Sequence, residues 1–74
     1  MRIQIIIINK FGTFQSKELI ATEEQYDSLV ESAKIFYTSG GFELQCDDNS
    51  FAVFSPEVVK ESILKIKKIE DVQE

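Results

Sequence analysis

The sequence predicts a small α+β domain in which one long helix covers an antiparallel sheet of four or five strands. Three observations predict it: a β-branched run opens the chain, a capped helical period fills its middle, and an apolar alternation broken by a polar turn follows. The 74 residues leave room for one domain, 1–74, with one core. The predicted order is β-β-α-β-β, then a C-terminal segment open to two readings.

Residues 2–9 (Arg-Ile-Gln-Ile-Ile-Ile-Ile-Asn) are too short and too β-branched for a helix and read as a strand. Ile3, Ile5 and Ile7 share one face, Ile6 and Ile8 the other. Apolar groups on both faces predict a central strand covered on both sides, or on one side by another chain. Asn9-Lys10-Phe11-Gly12 supplies a four-residue hairpin turn into a less apolar second strand over residues 13–21.

A helix is predicted over 23–39. Thr22 and Gln25 make the T-x-x-Q capping box, and Glu23 and Glu24 sit where the helix dipole favours negative charge. Tyr26, Leu29, Val30, Ala33, Phe36 and Tyr37 follow helical spacing and form an apolar stripe. Gly40-Gly41 supplies the stop. Residues 42–46 and 51–54 form a hairpin around the polar turn Asp47-Asp48-Asn49-Ser50. Ser55-Pro56-Glu57 reads as a helix start. Beyond it, Val58, Val59, Ile63, Ile66 and Ile69 fit a helical arc, while the Ile-rich 62–69 equally fits a strand after one helical turn.

Composition excludes much chemistry. There is no His, so no Ser-His-Asp or Cys-His arrangement exists, and the usual zinc set cannot be built from one chain. Cys46 is alone and lies in an apolar alternation, which fits a buried thiol in a reducing compartment. The Asp47-Asp48-Asn49 turn offers too few oxygens for a hard cation. No catalytic residue, metal or cofactor is expected, and no enzyme. The apolar run at 3–8 is too short for a signal peptide or membrane span, so the expected address is cytoplasmic, without membrane attachment.

The net charge of −5 is unevenly placed. Residues 1–17 carry three bases and no acid, whereas 18–57 carry nine acids against Lys34 alone, a local charge of −8. A chain with this balance is not expected to bind nucleic acid directly. Glu23, Asp27 and Glu31 recur every four residues and form a ridge, with Glu24 beside them. Such a ridge either keeps the chain soluble or meets a basic partner. Ile35, projected on the same helix, falls next to it as an exposed apolar residue.

The chain is similar in composition to small accessory proteins of bacteriophages: short, acidic, Ile- and Lys-rich. The leading expectation is a non-enzymatic protein-binding module. In it, Glu23, Glu24, Asp27, Glu31 and Ile35 engage a basic protein surface, for instance to inhibit a host nucleic-acid-binding or defence protein. The rival expectation is a homo-oligomer through the Ile3–Ile8 strand that holds a small molecule in a pocket between subunits.

Overall fold

A computed structural model describes residues 1–38 and 40–69. It is an α+β domain of antiparallel sheets with two helices. Strand β1 (Arg2–Asn9) is central, as its β-branched run predicts. On one side it pairs with β2 (Gly12–Gln15) and then β3 (Leu19–Ile20). On the other it pairs with β6 (Ile63–Ile69) over seven residue pairs. Strands β4 (Phe42–Gln45) and β5 (Phe51–Phe54) form a separate two-stranded sheet. The four or five strands expected in one sheet are therefore divided between two.

The predicted second strand is broken at Ser16. Ile6 faces Gln15, but Ile3 faces Leu19, a register step between the two halves. Ser16 is buried at the break and forms an isolated bridge with Cys46, which joins the two sheets. The Asp47 N–H adds a bond to the Gln15 carbonyl at 2.9 Å. The turn at Asn9 forms as expected: Asn9 pairs with Gly12, whose φ is +135°, and Asn9 Oδ1 accepts the Phe11 N–H.

The capping box is present: Thr22 Oγ1 accepts the Gln25 N–H at 3.1 Å, and Gln25 Oε1 accepts the Thr22 N–H at 2.9 Å. Helix α1 ends sooner than its period implies, spanning Glu23–Ala33, with a 3-10 turn at Phe36–Thr38. Ser39, the last residue of the predicted helix, lies outside the described residues. The cause is local and tertiary together. Ile35 to Thr38 are all β-branched or aromatic residues of modest helix propensity. The Tyr37 hydroxyl, meanwhile, donates to the Ser62 carbonyl at 2.7 Å, drawing the turn toward the start of β6. Gly41 thus serves a different purpose from the expected helix stop. Its φ is +148°, and an added Cβ would stand 3.1 Å from the Phe54 carbonyl oxygen, so it permits close approach within the hairpin.

The two readings of the C-terminal segment resolve as one short helix and then a strand. Ser55 caps α2 (Pro56–Lys60), with Pro56 in the first turn, and β6 follows. Ile7, Phe36, Leu44, Cys46, Phe54 and Val59 form the core, with Phe36 edge-on to Phe42 and Phe14 edge-on to Phe54. This core lies on the Ile3–Ile5–Ile7 side of β1. The other face is the more open one: Ile6 and Ile8 are half-buried there, and their cross-strand neighbours Thr13, Gln15, Ile63 and Lys65 are exposed.

Candidate functional site

Helix α1 carries the acidic residues singled out by sequence, and its seating decides what surrounds them. None of its residues is buried. Of the six residues in the expected apolar stripe only Phe36 is buried, and it belongs to the 3-10 turn. Tyr26, Leu29, Val30 and Ala33 are half-buried, and Tyr37 is exposed. A long helix sealing the sheet is therefore replaced by a short one resting on it.

Glu23, Glu24, Asp27 and Glu31 are all exposed. At about 100° per residue they fill an arc of roughly 100° centred nearly opposite Leu29. Glu31 is paired with Lys34 at 2.7 Å, and Glu23 lies 4.0 Å from Lys68, whose ammonium also sits 4.5 Å from the Tyr26 ring centroid. Glu24 and Asp27 have no ion pair among the described residues, which leaves two carboxylates free on the solvent side. Exposed pairs of this kind contribute roughly 0–1 kcal/mol each. The arc is accordingly available to an incoming cation at small cost.

Ile35 lies beyond the helix that carries the arc. Because α1 stops at Ala33, Ile35 falls in the following turn, and its N–H bonds to the Ser32 carbonyl at 3.2 Å. It is 65% exposed and lines a groove that none of the four carboxylates lines. The groove, about 370 Å³, lies between α1 and the inner face of the sheet. Leu29, Ala33 and Ile35 form one wall, Ile5, Leu64 and Ile66 the other, and Phe36 and Phe42 also line it; among the described residues its hydroxyls are those of Ser32 and Thr38. A second space of about 290 Å³ on the opposite flank of α1 shares Ala33, Leu64 and Ile66. Ala33, Leu64 and Ile66 thus line both spaces beside α1. Sequence periodicity identified the residues of this stripe but not the gap, which depends on where the sheet lies.

Among the described residues no group of three or more His, Cys, Asp or Glu could hold a metal ion. Cys46 is buried, with its sulfur 3.8 Å from the Leu44 carbonyl oxygen. The Asp48 carboxylate is held below its ordinary value. The Ser50 hydroxyl and then the Ser50 N–H stabilise its ionised form and lower its pKa. Both bonds close the β4–β5 turn, a structural duty. Among the described residues no helix is long and apolar enough to cross a membrane. Comparison with family models, curated proteins and solved structures gives no match for this chain.

Proposed function

We propose that the chain is a non-enzymatic protein-binding module that presents Glu23, Glu24, Asp27 and Glu31 to a basic surface of a partner protein. Ile35, just beyond the helix, adds an exposed apolar contact. The observation that carries this reading is the solvent-facing carboxylate arc of α1, with Glu24 and Asp27 free of ion pairs among the described residues. A row of carboxylates can occupy a surface built for phosphates. The partner class is therefore a nucleic-acid-binding protein, such as a host nuclease or defence effector, inhibited in the manner of a phage accessory protein in the cytoplasm.

The test compares capture from a host lysate by the wild-type chain and by the D27K/E31K variant. Both residues are exposed, so the variant keeps its circular dichroism spectrum while losing the captured protein. Heparin should elute that protein from the wild-type bait, because a polyanion competes for the same cations. Equal capture by the two baits would sink the reading.

A second reading, self-association, draws on the open face of β1. There Ile8 lies opposite Ile63, which is 57% exposed, and Ile20 at the far end is 87% exposed. Exposed isoleucines on one face of a sheet favour contact with another copy. A monomer at several hundred micromolar by light scattering would remove it.

A further inference from the structure

We propose that the groove between α1 and the sheet is a binding site for an uncharged apolar small molecule, such as an alkyl alcohol, an acyl ester or an aryl compound. It lies within one chain and needs neither the acidic arc nor a second copy. Its volume, about 370 Å³, falls within the roughly 300–1,000 Å³ typical of small-molecule sites.

The lining sets the ligand class. Among the described residues no charged side chain lines the groove. An ionised group drawn into it would lose its hydration with no counter-ion to replace it, so the buried part of the ligand carries no charge. The Ser32 and Thr38 hydroxyls offer at most a hydrogen bond to one end, and Thr38 Oγ1 already donates to the Ile35 carbonyl.

Backbone chemistry argues against a peptide occupant. Its N–H and C=O groups would enter a lining whose hydroxyls, among the described residues, are those of Ser32 and Thr38 alone, and the groups buried there would go unsatisfied. A small apolar molecule has no such requirement.

The packing around the groove supplies the driving force. Ile5, Leu64, Ile66, Leu29 and Phe42 are all only half-buried along it. An 11-residue helix is marginal on its own and depends on burying its stripe, which α1 does incompletely. A ligand that fills the hollow covers both walls at once and ties α1 to β1 and β6.

The probe is Nile red, neutral and brighter in apolar surroundings, titrated into the full chain and then displaced with decan-1-ol or with decyltrimethylammonium. Methyl NMR of the isoleucines locates the event. The expected result is saturable Nile red binding, displacement by decan-1-ol at concentrations at least tenfold below those needed for the cation, and shifts at Ile5, Ile35 and Ile66 but not at Ile6, Ile8 or Ile63. L29F, which fills the groove from α1, should lower Nile red affinity at least tenfold with the spectrum of a folded chain. If L29F does not fold, S32F at the groove mouth serves instead. Absence of saturable binding, shifts confined to Ile6, Ile8 and Ile63, or unchanged affinity in a folded filled variant would each overturn the proposal.

Discussion

The Ser16 hydroxyl accepts the backbone N–H of Ile5 at 2.9 Å, while the Ser16 N–H donates to the Ile5 carbonyl at 2.8 Å. In a regular antiparallel pair, Ile5 would donate to the Ser16 carbonyl. That carbonyl instead takes the Gln4 side-chain amide at 2.7 Å, and the side chain completes the pair. Ser16→Ala leaves a part-buried N–H without its acceptor, at a cost of about 1–3 kcal/mol. Urea unfolding should show a lower midpoint with an unchanged slope. A midpoint within error of wild type would mean that water or a shifted strand replaces the hydroxyl.

Ser16 also marks the boundary of what the sequence discloses. The Thr22–Gln25 box is legible because its two bonds span three residues and depend on nothing else. So is the alternation of β1, since side-chain direction in a strand follows from parity. The end of α1 combines the modest helix propensity of residues 35–38 with the Tyr37–Ser62 bond, 25 residues apart, which no local period reports. The β6 segment satisfies helical and strand spacing alike until a ladder with β1 selects one. The carboxylates of the candidate site were legible as a helix face, and Ile35 as an exposed apolar residue, although it lies beyond the end of α1 from which its angle was projected.

Thr22→Ala removes the acceptor for the Gln25 N–H and should weaken α1 by about 1 kcal/mol. Because α1 buries no residue, the loss should appear first as local opening. Hydrogen exchange is expected to quicken across 26–33 several-fold, with smaller changes in β1. A uniform change across all elements would instead mean that α1 unfolds only with the whole domain.

Tyr37→Phe deletes the donor to the Ser62 carbonyl. Ser62 is a buried junction: its hydroxyl donates to the Val58 carbonyl at 2.6 Å and accepts from Asn9 Nδ2 at 3.2 Å. Those bonds survive in the variant, so the expected loss is about 0.5–1.5 kcal/mol and not a collapse of the junction. Thermal unfolding followed by circular dichroism measures it.

Asp48 gives a pH dependence of defined sign. Its folded pKa is depressed, chiefly by the Ser50 hydroxyl and next by the Ser50 N–H. Its contribution is therefore complete above the unfolded carboxylate value and is lost as pH falls through the folded one, below about pH 4. Asp48→Asn retains an acceptor but removes the charge. The variant should be slightly less stable than wild type at pH 7 and equal to it once Asp48 is protonated in both states. The two unfolding midpoints, followed down from pH 7, should converge, and parallel curves would contradict the assignment.

Ile7 and Ile6 are adjacent on β1 and should answer substitution in opposite ways. Ile7 is fully buried against the core, so Ile7→Ala should cost about 2–5 kcal/mol from lost burial and the cavity left behind. For a domain of this size that is a large share of total stability, typically 5–15 kcal/mol and smaller for short chains. Ile6 points to the open face between Gln15 and Lys65, and Ile6→Thr keeps β-branching there. Its cost should stay below about 1 kcal/mol. Thermal unfolding of both variants at 10 and 500 µM distinguishes the possibilities for that face. An Ile6→Thr loss that is small at both concentrations fits a monomer with one covered face. A loss that appears only at the higher concentration means that a second copy covers Ile6 there, because association stabilises the folded chain by mass action and the substitution removes that gain.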